Sequence, residues 1–323
     1  MMHKVFITGQ IEENGTELLK KKGIKVDVLH PGKILTGAYL REIFASYNGV
    51  ITMVTNKIDE KVLESASPEL RIIANYGVGF DNIDVLTARR RGIIVTNTPG
   101  VASESVAEHT FALILACSKK LIEADRFVRQ GHYHGFDPKA FLSRQVWGQT
   151  IGIVGLGKIG TYVGHIAYSG FKMNILYHDI ARSEDFEMLT EATFTDMPIL
   201  LKRADIVTVH APLTAHTHSL IGKEEFKKMK NTAIFINTAR GPIVNQDALV
   251  WALKEGEILA AGLDVFEDET DIPSELKILP NVVLTPHSAS ATFETREAMS
   301  RIAAQNVIDV FEGKTPFGLI TVS

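Results

Sequence analysis

The sequence lacks features that mark several classes of protein. It contains a single cysteine among 323 residues, so no disulfide can form within the chain, as is usual in a reducing cytosol. No apolar run reaches the roughly 18 residues that a membrane-spanning helix needs. The first residues, 1–8, enter a strand pattern directly, without the apolar region and cleavage site of a signal peptide. We therefore expect a cytoplasmic protein with no membrane segment.

The sequence also has no large excess of either charge and no clear cluster of metal ligands. The 34 basic and 38 acidic side chains give a net charge of −4 and a pI near 6.3. The chain has no excess of basic residues, so its charge does not predict binding to nucleic acid or to anionic membranes. The histidine pairs His132/His134 and His216/His218 have no neighbouring cysteines or paired carboxylates at ligand spacing. We expect loop histidines there and no metal site.

What is present is an alternation of strands and helices along almost the whole chain. Repeated βα units of this kind form parallel sheets covered by helices on both faces. The length of 323 residues suits two domains. The predicted fold is α/β, with two doubly wound parallel-sheet domains. The predicted strands span residues 4–8, 24–29, 49–53, 71–76 and 93–98, then 151–154, 173–177, 205–210, 233–237, 258–265 and 282–284.

Two helices bear on the domain boundaries. A long helix is predicted from Ser103, with a helical tendency that continues to about Gln130. The last helix, residues 292–312, follows the final strand and could return to the first domain, although the sequence alone leaves that return open. We place the first domain at residues 1–100 together with 291–323, and the second at 101–290.

A dinucleotide fingerprint lies in the second domain. An apolar strand runs into Gly155-x-Gly157-x-x-Gly160 and then into a helix. Gly155 allows the tight turn, Gly157 lets the backbone approach a pyrophosphate, and Gly160 lets the helix pack close to the strand. The helix N-terminus offers N–H groups and a partial positive charge to the phosphates. Glycines also mark ordinary turns, but the strand and the helix around these three favour a nucleotide site.

The next strand of that unit ends at Asp179, about 20 residues after the glycines. A carboxylate at this place accepts hydrogen bonds from the adenosine ribose hydroxyls. Because it also repels a 2′-phosphate, NAD is favoured over NADP. Arg182 lies nearby and could serve a phosphate in a permissive enzyme.

Three further strand ends carry polar side chains: Arg240 in one, Asp264 and Glu269 in another, and His287 in the third. Ligands of open parallel sheets bind beyond the carboxyl ends of the strands. Taken singly, each of these residues is as readily explained by a loop or an ion pair. Together, beside a nicotinamide cofactor, they form a coherent site.

On these residues and several ordered motifs, the chain resembles the D-2-hydroxyacid dehydrogenase family over nearly its whole length. That family includes glyoxylate and hydroxypyruvate reductases, D-lactate dehydrogenases and phosphoglycerate dehydrogenases. Besides the glycine fingerprint, the motifs that carry the resemblance lie at residues 75–84, 96–101, 105–108, 210–214, 236–242, 262–266 and 286–287.

The resemblance implies catalytic roles for three residues. Arg240 would clamp the substrate carboxylate and 2-oxo group with its planar fork of donors. His287 would be the general acid in reduction and the base in oxidation, and Glu269 would hold the imidazole and favour its protonated form. A hydride would pass between the nicotinamide and substrate carbon C2 while His287 handles the proton.

The resemblance also implies binding residues. Backbone N–H groups of Val78 and Gly79 would meet the substrate carboxylate beside Arg240 and His287, which makes the first domain the substrate-binding one and the second a Rossmann NAD-binding domain. An ordinary glycine turn is the alternative for Val78 and Gly79, and a strand-end cap is the alternative for Asp264. The implied cofactor contacts are Ser105, Gly155, Gly157, Lys158, Ile159, Gly160, Asp179, Pro212, Thr217, Thr238 and Asp264.

The expected activity is NAD-dependent interconversion of a small D-2-hydroxy acid and its 2-oxo acid. Glyoxylate or hydroxypyruvate is the leading substrate, and D-lactate dehydrogenase-like or phosphoglycerate dehydrogenase-like activity is the alternative. A more distant alternative is a non-enzymatic NAD-sensing protein, which the lack of an added interaction segment disfavours. Residues 119–149 match the part through which the family dimerises, so we expect a homodimer. The chain departs from the family pattern at His287-Ser-Ala, where relatives carry His-Ile-Gly, and after Glu269, where a proline is usual.

Overall fold

The computed structural model describes residues 2–321. The chain forms two compact units. One comprises residues 1–102 together with 291–323, and the other comprises residues 103–290. The last helix therefore belongs to the same unit as the first strands, which is the arrangement that the sequence left open.

The first unit is a parallel sheet of five strands in the order β2-β1-β3-β4-β5, flanked by helices. This order is one of the two common doubly wound patterns. Its elements are β1 (Lys4–Ile7), α1 (Glu13–Lys21), β2 (Lys25–Val28), α2 (Gly37–Ser46), β3 (Gly49–Met53), α3 (Glu60–Glu64), β4 (Ile72–Tyr76), α4 (Val85–Arg90), β5 (Ile94–Thr96) and, after the second unit, the returning helix Phe293–Phe311.

Burial and capping explain why these segments form these elements. Strand β4 is buried along its whole length, as expected for an interior parallel strand whose two faces are both covered by helices. The edge strand β2 is only partly buried and carries polar residues. Helices α3 and α4 begin where the carboxylates of Asp59 and Asp84 accept hydrogen bonds from Val62 N and Thr87 N.

The second unit is a parallel sheet of seven strands in the order β12-β11-β10-β9-β6-β7-β8. Counted from β6, this is the Rossmann order 3-2-1-4-5-6 with one more strand at the far edge. The predicted fold class is therefore confirmed. The elements are α5 (Ser103–Lys119), α6 (Leu121–Arg129), β6 (Thr150–Val154), α7 (Lys158–Phe171), β7 (Asn174–His178), α8 (Glu184–Thr190), β8 (Thr193–Phe194), α9 (Met197–Arg203), β9 (Ile206–Val209), α10 (Lys223–Lys228), β10 (Ile234–Asn237), α11 (Gln246–Glu255), β11 (Ala260–Leu263), α12 (Ser274–Ile278) and β12 (Val282–Leu284).

The prediction of one helical stretch from Ser103 to about Gln130 was wrong at Lys120. That residue adopts a left-handed conformation with φ of +52° and separates α5 from α6. Lysine is a good helix former, so nothing in its chemistry marks the break. Eleven residues of α5 are buried and none of α6 is. Among residues 2–321, no helix is both long and apolar enough to cross a membrane.

Candidate active site

Most of the polar residues that the sequence singled out lie at one edge of the second unit's sheet. Because all its strands are parallel, their carboxyl ends meet there. Gly155 follows β6, Asp179 follows β7, Thr238 follows β10, Asp264 follows β11, and His287 lies three residues after β12. Strand β6 lies inside the sheet, with β9 on one side and β7 on the other, so the strand order reverses at this point. Such a switch point is where open α/β sheets bind nucleotides.

The glycine loop leaves room for a ligand at one of its three glycines. A β-carbon on Gly155, whose φ is +93°, would lie 2.5 Å from Ala211 N, and one on Gly160 would overlap the carbonyl oxygen of Gly155. A β-carbon on Gly157 would meet no atom within 4 Å. Gly157 is also the N-cap of α7, where the amide N–H groups of the first turn can receive an anion. The loop therefore fits a pyrophosphate.

The three glycines make an internal comparison possible. Gly157→Ala is expected to leave thermal stability nearly unchanged, since its φ of −69° suits alanine. It should weaken NADH binding by about tenfold or more, because the new methyl group occupies the space offered to the pyrophosphate. Gly160→Ala should instead cost about 1–3 kcal/mol of stability through the forced contact with Gly155. Thermal melts and NADH fluorescence titrations of both variants would check this, and unchanged NADH affinity in Gly157→Ala would contradict it.

Asp179 is held at the mouth of the glycine loop. Its Oδ2 accepts a hydrogen bond from Leu156 N at 2.6 Å, and its Oδ1 accepts one from Ile180 N, also at 2.6 Å. The carboxylate thus links the end of β7 to the loop after β6. It is fixed by backbone groups of both segments, at the position where the sequence placed the ribose contact.

The other expected nucleotide contacts lie on the same edge. Lys158 and Ile159 are the first two residues of α7. Thr217 donates a hydrogen bond from Oγ1 to Pro212 O at 2.6 Å, which closes the loop after β9. Pro212 is exposed and Thr217 is partly buried. Both therefore present surface to a ligand at this edge.

His210, at the end of β9, is a neutral imidazole. Its Nε2 lies 2.9 Å from Thr208 Oγ1, and its buried Nδ1 has no hydrogen-bond partner among residues 2–321. Burial lowers the pKa of His210 to about 3. It therefore contributes no positive charge to the adjacent glycine loop. The favourable potential for phosphates comes from the start of α7 and from Lys158.

Asp264 is fully buried and surrounded by donors. It accepts hydrogen bonds from Thr285 Oγ1 at 2.6 Å and from the backbone N–H groups of Ser288 and Ala289, both at 2.8 Å. Burial alone would raise the pKa of Asp264, but hydrogen bonds from His109, Thr285 and these amides outweigh it and hold the pKa below its usual value. The carboxylate thus holds the turn after β12, and a contact of Asp264 with the nicotinamide stays a prediction.

Helix α5 contributes side chains that contact the turn after β12 and the end of β10. Ser105 is buried, and Thr110 Oγ1 lies 3.1 Å from Oγ1 of the buried Thr238. His109 Nε2 lies 3.0 Å from Thr285 Oγ1, and this histidine is not among the residues predicted from the sequence. The available signal was its spacing of four residues from Ser105, which places both on one helix face.

His287 and Glu269 form a close pair. His287 Nδ1 lies 2.6 Å from Glu269 Oε1, and the two side chains are 28% and 27% exposed. The carboxylate accepts a hydrogen bond from Nδ1, so that nitrogen carries a proton. Nε2 is then the ring nitrogen that can interact with a ligand. The backbone of His287 is left-handed, with φ of +52°, and its N–H donates to Asp264 O at 2.9 Å. Strand β11 and its capping turn thus set the position of this imidazole.

Glu269 sits in a turn that a neighbouring side chain holds. Asp268 Oδ1 accepts hydrogen bonds from Thr270 N at 2.8 Å and from Thr270 Oγ1 at 2.7 Å. These two bonds bracket Glu269 and restrict its backbone. They supply a local constraint where the proline usual in relatives is missing.

Arg240 projects from a tight turn after β10. The buried side chain of Asn237 spans this turn, because its Oδ1 accepts from Ala239 N at 3.0 Å and its Nδ2 donates to Arg240 O at 2.9 Å. Gly241 follows, and a β-carbon there would overlap the carbonyl group of Phe266. Arg240 Nη1 donates to Ala239 O at 2.7 Å, which orients the guanidinium.

Val78 and Gly79 lie in the first unit, in the loop between β4 and α4. Asn97 Nδ2 donates to Val78 O, and Asn75 Nδ2 donates to Gly79 O, both at 2.7 Å. Two asparagines thus fix the peptide planes of the loop. Among residues 2–321, no group of three or more His, Cys, Asp or Glu side chains is arranged to hold a metal ion.

Comparison with known proteins gives consistent matches. The family described as "D-isomer specific 2-hydroxyacid dehydrogenase, NAD binding domain" matches residues 111–289. A glyoxylate reductase of Thermococcus litoralis is 44% identical over 99% of this chain and 97% of its own length. A solved protein of Thermus thermophilus superposes with a TM-score of 0.92 at 38% identity, covering 98% of this chain and all of the other. An NADPH-dependent glyoxylate/hydroxypyruvate reductase of Sinorhizobium meliloti, solved with NADP and malonate, gives 0.86 at 31% identity, covering 99% and 97%.

Proposed function

This chain belongs to the D-isomer specific 2-hydroxyacid dehydrogenase family, and we propose that it uses NADH to reduce glyoxylate to glycolate or hydroxypyruvate to D-glycerate. The observation that carries the proposal is the His287–Glu269 pair at the carboxyl edge of the sheet that bears the glycine loop. A paired imidazole and a nucleotide loop on one edge are what a nicotinamide-dependent oxidoreductase needs. Likeness to glyoxylate reductases over the whole chain supports the substrate class.

In the proposed reaction each residue acts on the substrate through its own chemistry. The guanidinium of Arg240 binds the carboxylate and the 2-oxo oxygen with paired donors. His287 donates a proton from Nε2 to that oxygen as it becomes a hydroxyl, and Glu269 stabilises the imidazolium at Nδ1 before the transfer. The reduced nicotinamide, when bound, supplies the hydride.

We assign substrate binding also to the first unit. The N–H groups of Val78 and Gly79 belong to the peptide units whose carbonyl oxygens, Gly77 O and Val78 O, accept hydrogen bonds from Thr98 N at 2.9 Å and from Asn97 Nδ2 at 2.7 Å. Fixed peptide planes present their N–H groups in a constant direction, which suits a carboxylate. Residues 1–102 with 291–323 then form the substrate-binding domain, and residues 103–290 the NAD-binding domain.

We expect NADH to bind at least about tenfold more tightly than NADPH. In this proposal the carboxylate of Asp179, held at the glycine loop by Leu156 N, accepts hydrogen bonds from the ribose hydroxyls and repels a 2′-phosphate. NADH would gain a charge-assisted hydrogen bond to Asp179, and NADPH would be repelled by it. Together these two effects exceed the roughly 1.4 kcal/mol that corresponds to a tenfold difference in Kd. Fluorescence titration with each cofactor gives the ratio directly. A ratio near one would contradict the assignment of Asp179.

We also propose that the protein is a homodimer located in the cytoplasm. Leu121 and Val128 are each 56% exposed and lie seven residues apart, on one face of α6. Covering this apolar face with a second copy would remove it from water. Light scattering after size exclusion is expected to give a dimer, and Val128→Asp should yield monomers. Ile34→Asp, at an exposed position of the first unit, is the control that should stay dimeric. A wild-type monomer at micromolar concentration would refute the dimer.

The proposed activity is tested by loss of NADH absorbance with a panel of 2-oxo acids. The panel contains glyoxylate, hydroxypyruvate, pyruvate and branched 2-oxo acids, each repeated with NADPH. We expect fastest turnover of glyoxylate or hydroxypyruvate with NADH. Preference for pyruvate would favour the D-lactate alternative. Tight NADH binding without turnover of any member would contradict the enzymatic proposal.

A further inference from the structure

We propose that Glu187 helps to set the cofactor preference of this protein by engaging Arg182. The inference rests on the proposed function, because it concerns the nucleotide that the glycine loop binds. Arg182 follows Asp179 by three residues, in the loop after β7. In dinucleotide-binding folds an arginine in this region accommodates the 2′-phosphate of NADP. Whether its guanidinium is available therefore bears directly on which cofactor binds.

The guanidinium of Arg182 is occupied. Its Nε lies 2.9 Å from Glu187 Oε1, and its Nη2 lies 2.6 Å from Glu187 Oε2. This is the bidentate geometry that an arginine also uses to bind a phosphate. The pairing lowers the pKa of Glu187 and raises that of Arg182, in each case mainly through the side-chain hydrogen bonds between them. A 2′-phosphate would have to displace the carboxylate to gain the arginine.

The carboxylate is anchored by a buried tyrosine. Tyr177, fully buried in β7, donates its hydroxyl hydrogen to Glu187 Oε1 at 2.7 Å and accepts a hydrogen bond from Ser183 N at 2.8 Å. The Glu187 side chain is 15% exposed, whereas that of Arg182 is 59% exposed. Exposed ion pairs between two mobile side chains contribute little. Here one partner is already positioned, so pairing restricts chiefly the arginine.

The remaining charges of the loop are negative. With Arg182 neutralised by Glu187, Asp179 adds a carboxylate, and the exposed Glu184 and Asp185 follow in the first turn of α8. A 2′-phosphate would meet the repulsion of these carboxylates, while the guanidinium of Arg182 is already paired with Glu187. If only the Asp179 carboxylate were removed, Arg182 would still be paired with Glu187. The carboxylates of both Asp179 and Glu187 should therefore disfavour NADP binding.

Binding titrations with variants separate these contributions. Kd values for NADH and NADPH would be measured by fluorescence on the full chain, with no substrate present, for Asp179→Ser, Glu187→Gln, the double variant and a triple variant adding Arg182→Ala. Glutamine retains an oxygen acceptor for Tyr177 but loses the charge that holds Arg182. We expect the double variant to bind NADPH about ten- to hundredfold more tightly than the wild type. Asp179→Ser alone should gain only a small part of this, and the triple variant should lose it.

Glu191→Gln is the matched control. It removes the same charge from a glutamate that also accepts a tyrosine hydroxyl, that of Tyr168 at 3.0 Å. Combined with Asp179→Ser, it should leave NADPH affinity at the level of Asp179→Ser alone. An equal gain from Asp179→Ser alone, or a gain that persists in the triple variant, would overturn the inference. A wild-type protein that binds neither cofactor would overturn the proposed function, and a thermal melt would show that it is folded.

Discussion

Replacing His287 with alanine is expected to lower kcat by about 10²–10⁴-fold, the range that a positioned general acid contributes. The Kd for NADH should change little. His287 Nδ1 is engaged by Glu269, and its backbone is held by Asp264, so the loss removes the proton donor while the glycine loop stays intact. Single-turnover rates and NADH titrations on the same preparation give both quantities.

Two further variants sharpen this expectation. His218→Ala removes a histidine in the loop after β9, whose Nδ1 lies 3.1 Å from Oγ of the neighbouring Ser219, and it should leave kcat unchanged. Glu269→Gln keeps the hydrogen-bonding shape but removes the charge at Nδ1. It should lower kcat by less than His287→Ala does, because the amide still accepts a hydrogen bond from Nδ1 and the proton donor itself remains. Equal losses of turnover and NADH binding in His287→Ala would argue against an acid–base role.

Replacing Arg240 with lysine should lower kcat/KM for the 2-oxo acid by about 10- to 100-fold, with most of the change in KM. Lysine keeps the positive charge but not the planar fork, and one lost charge-assisted hydrogen bond corresponds to about 1.5–3 kcal/mol. The turn that carries Arg240 is fixed by the backbone and by Asn237, so it should survive the substitution.

The control for Arg240 is Arg129→Lys, at an exposed position of α6 whose guanidinium pairs with Asp125. That variant should keep wild-type kcat/KM. Arg240→Gln, which removes the charge as well, should be more severe than Arg240→Lys. A lysine variant with unimpaired KM would show that the fork of Arg240 does not bind the substrate carboxylate.

Much of the fold could be predicted because its signals are local. Strand β12 occupies the predicted residues 282–284, and the helix Phe293–Phe311 lies within the predicted 292–312. Apolar runs of buried parallel strands and glycines at tight turns depend on a few neighbouring residues. The crowding around Gly155 and Gly160 agrees with the turn and packing reasons given for them.

What escaped prediction depends on individual side-chain contacts, or on one backbone angle, that no spacing rule describes. The enclosure of Asp264 arises from His109 on α5 and from Thr285 and the amides after His287 in the turn after β12, two segments far from Asp264 in the sequence. The occupation of Arg182 by Glu187 requires the buried hydroxyl of Tyr177 as well. The helix break at Lys120 has no glycine or proline to announce it. Spacing rules describe single elements, so such contacts become visible only in the folded chain.

The most direct test of the central claim is the handedness of the product. Hydroxypyruvate would be reduced with NADH by the wild-type protein, and the glycerate formed would be resolved by chiral chromatography, with His287→Ala as the control. We expect D-glycerate, formed at a rate that falls about 10²–10⁴-fold in the variant. L-glycerate, or no NADH-dependent product from hydroxypyruvate or glyoxylate, would contradict the account.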